Sequence, residues 1–123
     1  MLPADYPLVL YRGDTGRWRF KLWSDAAKTQ PVDLTGVTVD AMVRDKVDNG
    51  TFSMSMTCAV TVPNIIDMLL TSTQSRDLTP KGFWDLQLTY ASGDVVTVLK
   101  GPVSVTSDVT HTPVAAKKLV AVR

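Results

Sequence analysis

The stretch Val37-Thr38-Val39-Asp40-Ala41-Met42-Val43-Arg44 puts Val37, Val39, Ala41 and Val43 on one face and Thr38, Asp40, Met42 and Arg44 on the other. A period of two marks a half-buried strand, because successive side chains of a strand point to opposite faces. Asp48-Asn49-Gly50 follows as a hairpin signal. Beyond it, Phe52, Met54, Met56, Cys58 and Val60 alternate with Ser53, Ser55, Thr57 and Ala59. Two strands joined by a turn are expected, with one face of each directed at a core.

The same pattern extends in both directions. Leu8 to Tyr11 reads as a first strand, and Arg12-Gly13-Asp14-Thr15-Gly16 as a turn with two glycines. In the next strand Trp18, Phe20 and Leu22 point inward, while Arg19 and Lys21 meet solvent. Trp23 breaks this alternation, and two placements stay open for it, exposed at the surface or packed against a loop. Asp33-Leu34-Thr35-Gly36 turns the chain into the strand at 37–44. Pro63-Asn64 is a further turn, and Ile65 to Leu70 a further strand. Thr71-Ser72-Thr73-Gln74 has the spacing of a capping box, so one short helical turn is expected near 72–78, stopped by Pro80. Trp84 to Tyr90 alternates again, with Trp84 and Tyr90 facing inward. Ser92-Gly93-Asp94 is a hairpin turn, and the last strand runs from Val95 to Val105 with a bulge or edge position at Gly101-Pro102. Seven or eight short strands with regularly spaced turns predict an all-β, antiparallel sandwich. No strand–helix–strand rhythm points to a parallel sheet.

Composition agrees. Of the 123 residues, 17 are Val and 15 are Thr, and all twelve acidic residues are Asp, with no Glu at all. Glu favours helix interiors, Asp favours turns and caps, and β-branched residues suit a pleated surface. Net charge is +1, without the basic footprint of a nucleic-acid binder or a polybasic membrane-surface protein. No apolar run approaches the roughly 20 residues of a membrane-spanning helix, and the N-terminus lacks the basic start and apolar centre of a secretory signal. The single Cys58 excludes an internal disulfide framework and fits synthesis in a reducing cytosol. One cysteine and one histidine, His111, do not make a structural zinc site.

No set of residues proposes catalysis. Cys58 lies on the apolar face of its strand, His111 in a linker-like segment, and neither a nucleophile elbow nor a phosphate-binding glycine loop is present. The chain is therefore expected not to be an enzyme and to need neither cofactor nor metal. Arg12-Gly13-Asp14 spells an adhesion tripeptide but falls where a turn is required. Asp45, Asp48, Asn49 and Gly50 lack the bidentate Glu of a calcium loop.

Two candidate interaction sites remain. Trp23, at a strand end, is one: a surface Trp can anchor an interface. The other is the arm at 110–123, which follows a sandwich domain at 1–109. His111-Thr112-Pro113 reads as a linker. The segment Val114-Ala115-Ala116-Lys117-Lys118-Leu119-Val120-Ala121-Val122-Arg123 contains no acid. Val114, Lys117, Lys118, Leu119, Val120, Val122 and Arg123 are its candidate contacts. An apolar, strand-prone segment of this kind can add to a neighbour's sheet edge or fill its groove.

These landmarks carry a resemblance. Arg12-Gly13-Asp14 before Trp18-Arg19-Phe20, then Val32-Asp33-Leu34-Thr35-Gly36-Val37-Thr38-Val39, then Leu78-Thr79-Pro80-Lys81-Gly82-Phe83-Trp84-Asp85-Leu86-Gln87-Leu88-Thr89-Tyr90 with Gly93-Asp94, resemble the motifs of a family of tailed-bacteriophage virion domains. Between about Leu8 and Thr106 the chain is similar to the N-terminal domain of phage baseplate upper proteins and to small tail-associated proteins. The resemblance implies an immunoglobulin-like sandwich, made in the host bacterial cytoplasm and located in the virion. It implies a structural role as an oligomeric tail or head–tail-junction adaptor that attaches fibres or spikes. Its partners would be copies of itself and other virion proteins (tail, portal, fibre or capsid subunits), not nucleic acid or membrane. The sequence ends soon after the sandwich, without the long fibrous part of baseplate upper proteins, which favours a small adaptor. A capsid decoration protein is the alternative within this class; a glycan- or receptor-binding module using Trp23 is the alternative outside it.

Overall fold

The computed structural model describes residues 3–45 and 53–107. The expected turn at 48–50, Phe52, His111 and the arm at 110–123 lie outside them. The elements are β1 (Ala4–Asp5), β2 (Leu8–Tyr11), β3 (Gly16–Lys21), β4 (Thr38–Arg44), β5 (Ser53–Thr61), β6 (Ile65–Leu70), α1 (Ser72–Arg76), β7 (Lys81–Thr89) and β8 (Val95–Thr106). The all-β expectation agrees with this set, which holds one short helix.

The strands form one curled sheet in the order β1-β8-β7-β4-β5-β6-β3, with β2 following β1 along β8. The sheet is mixed, which corrects the wholly antiparallel expectation. β1 and β2 both run parallel to β8, with Ala4 opposite Leu99 and Leu8 opposite Val103. A parallel pair requires a long connection, and here almost the whole chain supplies it. Sequence periodicity is blind to such pairings, because alternation does not reveal strand direction.

Curling takes place along β5. Its first part pairs with β4 (Ala41 opposite Met56, Arg44 opposite Ser53), and its second part pairs with β6 (Thr57 opposite Leu69, Thr61 opposite Ile65). The curl brings distant strands face to face. Phe20 on β3 stacks on Trp84 on β7, with ring centroids 6.1 Å apart, and Tyr6 meets both rings edge-on. Around this cluster Leu8, Leu34, Ile66, Met68, Leu70, Leu86, Leu88 and Val103 are fully buried. Inward positions of β2, β4, β6, β7 and β8 supply most of the core, as the alternation requires.

The bulge in β8 is not at Gly101-Pro102. Leu86 faces Leu99 but Gln87 faces Thr97, so the extra residue is Val98, and consecutive Val98 and Leu99 are both buried. Gly101 has a different task. A Cβ at this position would stand 2.4 Å from the Tyr6 carbonyl oxygen. The chain crosses β8 there between β1 and β2, and the Tyr6 carbonyl accepts a 2.7 Å hydrogen bond from the Trp84 indole.

The helix forms as its cap predicts. The Thr71 hydroxyl accepts from the Gln74 amide at 3.1 Å, and the Gln74 side chain accepts from the Thr71 amide at 3.0 Å. These bonds satisfy amides left unpaired at a helix start.

Candidate functional site

Trp23 is half-buried, and its backbone bridges to Pro31 across the loop at 24–30. That loop is organised by Asp25, whose carboxylate accepts from the Thr29 and Gln30 amides at 3.0 and 2.9 Å. Hydrogen bonds from the Thr29 side chain and the Gln30 amide hold the Asp25 carboxyl below its usual range. Trp23 thus closes a loop, the second of the two placements open to it. The other predicted contacts, Val114, Lys117, Lys118, Leu119, Val120, Val122 and Arg123, lie outside the described residues.

The adhesion-like tripeptide is engaged internally. Arg12 donates to the carbonyls of Arg76 and Leu78 at 3.0 and 2.6 Å, and the Gly13 amide donates to the buried Ser75 hydroxyl at 2.9 Å. Gly13 adopts a left-handed φ of 88°. The segment is a turn clamped to the end of α1, as the sequence position suggested. Cys58 packs against the core, and burial, with the nearby Asp40 charge adding to it, pushes its thiol up to about 11. A thiol so raised is almost wholly protonated near neutral pH and is a poor nucleophile. Among the described residues no three His, Cys, Asp or Glu side chains gather as metal ligands. No helix among them is long and apolar enough to cross a membrane.

A groove of about 730 Å³ lies on the outward face of β4, β7, β8 and β1. Register builds it in three rungs. Arg44, Phe83 and Pro102 are opposite one another on β4, β7 and β8. The next rung runs Met42, Asp85, Lys100, Asp5, and the third pairs Asp40 with Gln87 and Thr97. Phe83 is 45 % exposed, although its neighbour Trp84 is buried. Lys100 reaches Asp5 at 3.5 Å, and the Gln87 amide donates to the Thr97 hydroxyl at 3.4 Å. Burial raises the Asp85 carboxyl above its ordinary value, with the Arg44 charge pulling the other way. An aromatic ring, a thioether and a proline lie there among three carboxylates and two cations, Arg44 and Lys100.

The opposite face differs in sign. β3 directs Arg17, Arg19 and Lys21 outward beside Asp67, which binds Arg19 through both carboxylate oxygens at 2.7 and 3.2 Å. Alternation reveals the buried side of each strand and leaves the groove, on the outward side, without a periodic signal. One signal for it was present: in Phe83-Trp84 two adjacent aromatics occupy opposite faces of a strand, so one of them must point outward. No protein-family model matches this chain, and no curated relative matches it either.

Proposed function

We propose that this chain is a structural subunit of a tailed-phage virion, an oligomeric adaptor in the tail or at the head–tail junction that holds fibres or spikes. We read its curled sheet as an immunoglobulin-like sandwich. One layer is β3, β6 and the second part of β5; the other is the first part of β5 with β4, β7, β8 and β2. The observation that carries this reading is the pairing scheme. The first long strand runs beside the last, and one strand is shared between the layers.

The residues of the resemblance also fall where such a scaffold needs them. Leu34 is buried and its amide donates to the Pro63 carbonyl at 2.8 Å, Asp33 accepts from the Thr35 amide at 3.0 Å, and Gly36 takes a φ of 73°. Gly82 lets β7 approach β4, because a Cβ there would lie 2.6 Å from the Arg44 carbonyl oxygen. Assembly then falls to the acid-free segment 114–123 acting between subunits.

The test is the mass of the full chain in solution, beside that of a chain cut after residue 113. A closed oligomer that falls to monomer on truncation is the expected result. Equal association of both chains would overturn the reading. In purified particles, about a dozen copies marks an adaptor ring and hundreds marks a decoration protein, since closed rings hold few subunits.

A further inference from the structure

We propose that the groove across β4, β7 and β8 is the receptor for segment 114–123 of a second copy of this chain. In this complex the segment lies extended, with Lys118 directed at Asp40 and Asp85 and Val120, on the same side of the segment, covering Phe83 and Met42. The inference rests on the adaptor reading, which makes that segment the intersubunit contact, and it adds where the contact lands.

Charge is the first argument. The segment carries three cations and no acid. The groove holds Asp5, Asp40 and Asp85 against Lys100 and Arg44, and Lys100 already reaches Asp5. The opposite face, with Arg17, Arg19 and Lys21 around Asp67, would repel such a segment. Complementary potentials select the register and face of docking.

Size is the second. From β4 across β7 and β8 to β1 the groove spans three strand spacings of about 4.8 Å, or about 14 Å, which four or five extended residues cover. Lys117 to Ala121 has that length and places two ammonium groups beside an apolar run. Chemistry is the third. Phe83 is exposed beside Pro102 on the first rung, and Asp85 and Lys100 occupy the middle one, so the groove sets an apolar end against a charged stretch, the two chemistries that the segment carries side by side. Asp85 lies partly withdrawn from water there, and an arriving ammonium would offset the cost of that withdrawal.

The test uses full-length chains in three variants: Lys117→Asp/Lys118→Asp, Asp40→Lys, and Phe83→Ser. Asp40 and Phe83 are exposed, and circular dichroism verifies that each variant folds. Each variant should associate about tenfold or more weakly by sedimentation, the loss expected at a central contact. Mixing the Lys117→Asp/Lys118→Asp chain with the Asp40→Lys chain should restore association, because each then offers the other a complementary surface. If the lysine reversals dissociate the assembly while Asp40→Lys and Phe83→Ser associate normally, the groove is not the receptor and the adaptor reading stands. If the lysine reversals change nothing, the intersubunit segment itself is wrong and this inference falls with it. A full chain that stays monomeric, with variants that only lower its melting temperature, would mean that the segment docks on its own subunit, which also overturns the proposal.

Discussion

Gly101 shows how much one absent methyl group can decide. The Tyr6 carbonyl occupies the place where a side chain would begin, and the same carbonyl receives the Trp84 indole proton. Gly101→Ala must therefore push the 4–7 segment off β8 and stretch that hydrogen bond. Chemical denaturation should show a loss of about 1–3 kcal/mol, the usual cost of overpacking a closed site. Cys58 makes a second prediction at this scale. Its folded thiol titrates at about 11 against an ordinary 9.0. Between those values the folded state holds a proton that the unfolded chain has released. Stability must then fall as pH rises through that window. Unfolding curves from pH 8 to 11 should decline more steeply for the unaltered chain than for Cys58→Ala, and identical slopes would contradict the burial argument. Sequence had already placed Cys58 on an inward face; it gave no sign of the Gly101 crossing, because that contact joins residues far apart along the chain.

Among the elements, α1 is short enough for its cap to dominate. Five residues cannot sustain a helix by propagation alone. The reciprocal Thr71–Gln74 bonds and the Arg12 clamp on the Arg76 and Leu78 carbonyls hold its two ends. Thr71→Ala should cost about 1 kcal/mol by denaturant titration, with Thr71→Ser recovering most of it. This helix was legible because a capping box is a local pattern. The bulge in β8 was not. Gly101 and Pro102 attracted the assignment by residue type, whereas the extra residue is Val98, identified by the shift of partners from Leu99 to Thr97. A bulge is a property of two strands and leaves little trace in one. β3 shows a further device: Arg17, Arg19 and Lys21 line a strand at the end of the sheet order, and such charges deter edge-to-edge pairing.

At the scale of the molecule, alternation in β3, β4, β5 and β7 was enough to foresee an all-β chain and part of its core. Phe20, Ala41, Val43, Met56, Trp84 and Leu86 are buried as the period of two requires. The groove was less legible. Its rungs assemble Met42 from β4, Asp85 from β7 and Lys100 from β8, residues joined only by register. Strand direction was equally hidden, and it bears on how the molecule carries load. β2 and β8 lie side by side and point the same way, with Leu8 opposite Val103 and Tyr11 opposite Thr106. Tension entering before Leu8 and leaving after Thr106 would draw these strands in opposite directions along their shared axis. Their evenly spaced hydrogen bonds would then be strained together in shear, instead of opening one at a time like a zip. A subunit pulled by its two ends would resist at this seam first, and the rest of the sheet would be shielded until the seam gave way.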